Sequence, residues 1–314
     1  MNIKKLPAII QGGMGVNISS PELAKIVSKL GQQGTISGTA LEWVMVRYLQ
    51  MGDPGENFRR DLSEFPFQNI VKEIMNKFYV KGGVPKGTPF KGIPHVGFNP
   101  SNLLIALVIC ANFAVVRLAK EGHDNPVSIN YLEKIALPHV HALFGAIMGG
   151  VDKITMGAGI PLQIPVLIND IAEGNDCTYS VPVLGTGIRS RTVNFSPEKF
   201  FGEKPANLRK PQFFPIISSN LLANLFLKRS PEGSVDGFIV EEPTAGGHNA
   251  PPRRVDPSSL PGDPPVYGEK DKVDYNEMAK LGIPFWIGGS NASPEKLRYA
   301  KSVGAVGIQA GSIF

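Results

Sequence analysis

The stretch that decides the fold runs from Phe285 to Ser312, FWIGGSNASPEKLRYAKSVGAVGIQAGS. It opens on a short apolar run, Phe285–Gly289, of the kind that forms a strand covered on both faces. A glycine turn, Gly288-Gly289-Ser290, then leads into Ser293-Pro294-Glu295, which combines a capping hydroxyl, a proline in the first helical turn and an early acid. Leu297, Ala300 and Val303 follow at helical spacing, and Gly304 stops the helix. A second apolar run, Ala305–Gln309, ends in a second turn, Gln309-Ala310-Gly311-Ser312. Strand, turn, capped helix and strand make one βα unit of a parallel sheet. Two glycine turns about 20 residues apart at strand ends suit a phosphate group, because backbone N–H groups and a helix N-terminus converge there.

The same rhythm fills the rest of the chain. Candidate strands are Pro7–Gln11, Gly34–Gly38, Val127–Tyr131, Lys153–Gly157, Tyr179–Leu184, Gly237–Glu242, Phe285–Gly289 and Ala305–Gln309. Ser19-Ser20-Pro21-Glu22 repeats the helix start before Leu23, Ile26, Val27 and Leu30, with Gly31 as the stop. Eight alternating units over 314 residues predict an α/β fold, a (β/α)8 TIM barrel forming one domain over 1–314, with a doubly wound open sheet as the alternative. Three insertions interrupt it. Residues 53–100 hold a polar helix from Phe58 to Val80 and a Gly/Pro-rich loop, residues 185–212 are basic and aromatic (Arg189, Arg191, Phe195, Phe200, Phe201), and residues 249–268 are proline-rich. The last two follow candidate strands and are expected as lids over the barrel mouth.

Composition narrows the function classes. The net charge of +5 is spread without a basic block, which argues against nucleic-acid binding. Cys110 and Cys177 have no metal or redox spacing, so a reducing compartment is the simpler reading. The apolar run Leu103–Val116 is shorter than the ~20 residues of a membrane span and reads as a buried helix. No secretory leader is apparent at the N-terminus. A cytoplasmic, soluble protein is expected, with a small-molecule substrate, no membrane partner and self-association into a homo-oligomer.

Two further clusters stand at strand ends. Gln11-Gly12-Gly13-Met14-Gly15 lets backbone approach a flat ligand closely. Ala245-Gly246-Gly247-His248 places an imidazole on a bare turn, where it can take or give a proton near pH 7. His95, His123, His139 and His141 lie in a loop, at a helix end or on a helix, where surface or core roles are expected. Glu241 and Glu242 are adjacent on a strand and so face opposite ways.

On these residues, with Ile129-Asn130 and Met156-Gly157-Ala158-Gly159, the sequence resembles the nitronate monooxygenase family, formerly 2-nitropropane dioxygenases, which is similar to the flavin-dependent enoyl-acyl-carrier-protein reductases. The resemblance implies a flavoprotein oxidoreductase that binds FMN. Gly12, Gly13 and Met14 would line the isoalloxazine, Asn130 would hydrogen-bond it, and Gly246 would stand beside it. Gly289, with Gln309, Ala310, Gly311 and Ser312, would cradle the phosphate, Gly288 would belong to the cofactor-binding set beside them, and His248 would be catalytic. Two positions depart from the family. Glu241 stands where glutamine is frequent, with its role at the flavin open, and Asn249 to Arg254 replaces the glycine that follows the histidine. The implied reaction is monooxygenase oxidation of a nitronate or similar carbanion, with dioxygen reoxidising the flavin. One rival is enoyl-thioester reduction with NAD(P)H as donor, where Arg253, Arg254 or Arg189–Arg191 would meet phosphates. Another is a non-catalytic barrel that binds a phosphorylated metabolite or serves as an assembly partner. The sequence ends at Phe314, before an eighth helix, so either a C-terminal segment follows or the barrel closes differently, and without that helix FMN is expected to bind more weakly.

Overall fold

Eight short strands run parallel and in chain order around one sheet. The computed structural model describes residues 6–183, 185, 189–205, 208–246, 250, 252 and 265–314. The chain passes through β1 (Ile9–Gln11), α1 (Pro21–Lys29), β2 (Gly34–Ser37), α2 (Leu41–Gln50), α3 (Asn57–Ser63), α4 (Gln68–Phe78), α5 (Asn102–Lys120) and β3 (Val127–Leu132). It continues through α6 (His139–Met148), β4 (Lys153–Gly157), α7 (Ile164–Ala172), β5 (Cys177–Pro182), β6 (Ser190–Phe195), α8 (Pro197–Phe201) and β7 (Gln212–Ile217). It ends with α9 (Asn220–Arg229), β8 (Phe238–Glu241), α10 (Tyr275–Lys280), β9 (Phe285–Gly288), α11 (Pro294–Ser302) and β10 (Gly307–Ala310). The sheet order is β2-β3-β4-β7-β8-β9-β10-β1. The seam closes where the Gln11 N–H donates to the Gln33 carbonyl at 2.9 Å and the Gln33 N–H donates to the Ile9 carbonyl at 3.1 Å. The expected (β/α)8 barrel is therefore formed.

The packing explains why the strands read as continuous apolar runs. Ile10, Phe214, Ile239 and Trp286 form one fully buried cluster between facing strands, with Phe214 and Trp286 stacked at 5.4 Å. A larger cluster fills the layer between strands and helices. Helix α5 is long and apolar enough to cross a membrane, but most of it is buried, packed against α1, α2, α3 and α6. Both serine caps form as the sequence predicts: Ser20 accepts from the Leu23 N–H and Ser293 from the Lys296 N–H.

Three expectations are corrected. The fifth barrel strand is β7, Gln212–Ile217, whereas the predicted strand Tyr179–Leu184 falls in β5, which pairs antiparallel with β6 outside the barrel (Leu184 itself lies outside the described residues). Pro215 in the middle of QFFPII reads as a strand breaker, yet it sits in register opposite Met156, and pairing to β8 begins only at Ile216. The polar helix Phe58–Val80 is two helices, α3 and α4, separated by a segment containing Pro66. The 185–212 insertion is no lid at its aromatic end: Phe195 and Phe201 pack with Phe65, Phe67 and Phe144, and Phe200 joins them, in the outer layer. Arg191 lies 4.4 Å from the centre of the Phe98 ring. Most of the 249–268 insertion lies outside the described residues.

Candidate functional site

The C-terminal ends of all eight barrel strands surround a cleft of about 890 Å³. Gly12 to Val16 line it after β1, and Thr39 after β2. Asn130 and Leu132 contribute from β3, Gly157 and Ala158 from β4, and Ile216 from β7. Glu241 and Thr244 to Gly246 come from β8 and its turn, Gly289 to Ala292 from β9, and Gln309 to Ile313 from β10.

Close backbone packing builds the floor. The Gly12 N–H donates to the Ala310 carbonyl at 2.7 Å, which ties the first turn to the last strand. Buried Ser19 fixes the far side of that turn, donating to the Gly12 carbonyl at 3.1 Å and accepting from the Met14 N–H at 3.0 Å. Gly13 lies directly against the Asn130 side chain.

The opposite wall is held from behind. Gly289 has a φ of +101°, and a Cβ there would stand 3.0 Å from the Ala245 nitrogen and 3.2 Å from the Glu242 Cβ, so only glycine fits. Asn291 is buried and donates to the Gly289 carbonyl and to Glu242 Oε2 at 2.9 Å. Glu242 Oε1 in turn accepts from the Tyr275 hydroxyl at 2.6 Å. The Thr244 hydroxyl donates to the Gly289 carbonyl at 3.2 Å and the Ser290 hydroxyl to the Thr244 carbonyl at 3.1 Å. At this end the backbone N–H groups of Ser290, Gly311 and Ser312 make no hydrogen bond to another described residue.

Of the residues singled out from sequence, Gly12, Gly13, Met14, Asn130, Glu241, Gly246, Gly289, Gln309, Ala310, Gly311 and Ser312 line this one cleft. Gly288 stands behind it, in β9, where its missing side chain leaves room for Gln309, whose Oε1 would be 3.3 Å from a Cβ. His248, Arg253 and Arg254 lie outside the described residues. His139 and His141 are buried in α6, where burial pulls both imidazoles down to about 4, which agrees with core roles. Glu241 and Glu242 diverge as alternation requires, the first into the cleft and the second onto Tyr275 and Asn291. Burial pushes the Glu241 carboxyl up to about 7. Sequence reading missed Thr39, Ile216, Thr244 and Asn291. The one signal for Asn291 is its place between a glycine turn and a helix cap.

Fold and site together define a (β/α)8 barrel with a glycine-walled cleft at its C-terminal face. No family model matches the sequence, and no curated protein matches it. Solved structures similar to it include a FabK mutant from Thermotoga maritima, at 14% identity and a TM-score of 0.48, covering 99% of this chain and 63% of that one. Nitroalkane oxidase from Streptomyces ansochromogenes is similar at 10% identity and a TM-score of 0.44, covering 97% and 65%. The enoyl reductase domain of MlnA from Bacillus amyloliquefaciens is similar at 14% identity and a TM-score of 0.48, covering 98% and 53%. The chain thus spans 53–65% of the length of these three proteins.

Proposed function

We propose that the protein is an FMN-dependent oxidoreductase of the nitronate monooxygenase kind, acting on a nitronate or similar small carbanion with dioxygen as the final acceptor. The observation that carries this reading is the pairing of two features in one cleft. Gly13 and Gly289 bring bare backbone to opposite sides, and the N–H groups of Ser290, Gly311 and Ser312, which have no partner among the described residues, lie at one end. A flat ring with a phosphate tail suits both, and about 890 Å³ lies within the usual range of ligand pockets. FMN, when bound, supplies the electron-accepting ring that side chains lack.

The protein's own residues then have distinct tasks. Gly12, Gly13 and Met14 carry the ring against Asn130, while Gly246 stands across the cleft beside Ser312. Gly289 and Gln309 to Ser312 form the phosphate end, where the Ser290, Gly311 and Ser312 N–H groups are the donors, since no lysine or arginine lines the cleft among the described residues. His248, two positions after Gly246, is the acid–base group: a substrate that arrives as the neutral nitro compound loses its α-proton to it, whereas a nitronate arrives with that proton already gone.

The test is anaerobic mixing of the FMN-loaded protein with propyl-2-nitronate and, separately, with NADPH. Bleaching of the flavin by the nitronate and not by NADPH is expected. Bleaching by NADPH alone would replace this reading with enoyl-thioester reduction.

A further inference from the structure

Glu241 ends β8, in register with Gly288, and its side chain lines the cleft without a hydrogen bond or ion pair to any described residue. No other described residue lining the cleft, from any of the remaining seven strands or their turns, titrates or carries a charge. The nearest acid along the chain, Glu242, faces away and is occupied by Tyr275 and Asn291. The buried cation of the barrel, Lys153, begins β4 at the other end of the strands, against Phe214 and Trp286. Among the described residues, nothing that lines the cleft stabilises the charge of a carboxyl in this position.

We propose that Glu241 is a proton-operated gate on ligand binding: the cleft takes an anionic, phosphate-bearing flavin when the carboxyl is neutral and holds it less tightly once the carboxyl ionises. This rests on the FMN reading above. Burial already brings the Glu241 carboxyl up to about 7, which puts the switch near neutral pH. A neutral carboxyl can donate a hydrogen bond, whereas a carboxylate in the same place repels a ligand whose phosphate carries a charge of about −1.5 to −2. Binding the anion must then raise the carboxyl further. Between its free and bound values, each pH unit weakens binding by up to about tenfold.

Fluorescence-quenching titrations of the full chain with FMN at pH 6.5 and pH 9 test this. The dissociation constant of the wild type is expected to rise at least about tenfold, and that of Glu241→Gln less than about threefold. The variant keeps His248 and the ionisations of FMN itself, so the difference between the two proteins belongs to Glu241. Calorimetry of the wild type at pH 8, in two buffers of different ionisation enthalpy, needs no variant and is expected to show uptake of most of one proton per FMN. Equal pH dependence in the two proteins, or no proton uptake, overturns the gate and leaves the flavin reading standing. Absence of FMN binding at every pH overturns both.

Discussion

Gly13 lies so close over Asn130 that a Cβ at position 13 would stand 2.5 Å from the Asn130 Cβ and 2.7 Å from its Cγ. The first turn of the barrel and its third strand are thus packed backbone to side chain, and Asn130 is held against the cleft floor, only 8% exposed. Gly13→Ala must push Asn130 aside. We expect FMN affinity to fall at least about tenfold, with stability lowered by about 1–3 kcal/mol, the usual cost of overpacking. Flavin titration and urea unfolding of the same variant check both parts.

Gly289→Ala combines a left-handed φ of +101° with contacts at 3.0 and 3.2 Å. Holding a non-glycine residue in such a conformation costs about 1–3 kcal/mol. Because the distortion falls at the phosphate end, FMN binding should weaken far more than riboflavin binding. Equal losses for the two ligands would place the phosphate elsewhere.

These turns were legible because glycine pairs at strand ends are local features, and all of the strand-end glycine turns assigned from sequence reach the cleft wherever they are described. The fifth strand was not legible. Pro215 disguised it, and the β-rich stretch Cys177–Pro182 replaced it, because periodicity reports strand character and not which sheet a strand joins. Phe195, Phe200 and Phe201 were misread for a related reason. An aromatic insertion has the same composition whether it covers a ligand or, as here, packs on Phe65, Phe67 and Phe144. Asn291 was missed because its partners, Glu242 and the Gly289 carbonyl, are set by tertiary structure.

Asn291 is the buried tie between the β8 and β9 turns. Asn291→Ala removes donors to the Gly289 carbonyl, which keeps the Thr244 hydroxyl, and to half-buried Glu242 Oε2, at a cost of about 1–3 kcal/mol. Urea unfolding should register that loss, and the variant should also bind FMN more weakly than the wild type.

Lys153 donates to Gln33 Oε1 at 2.7 Å inside the barrel, where burial pulls its ammonium down to about 8. The unfolded chain therefore holds more protons than the folded one between about pH 8 and pH 10.5, and stability rises with pH across that window. From pH 7.5 to 9.5 the gain should be about 1–2 kcal/mol. Lys153→Met should abolish it, as urea midpoints at the two pH values would show.

The central claim is that this cleft binds FMN. Titration of the purified chain with FMN, followed by the change in the flavin absorbance bands, tests it most directly. The expected result is saturation at one FMN per chain, lost in Gly289→Ala. A spectrum identical to free FMN at every protein concentration would contradict the account.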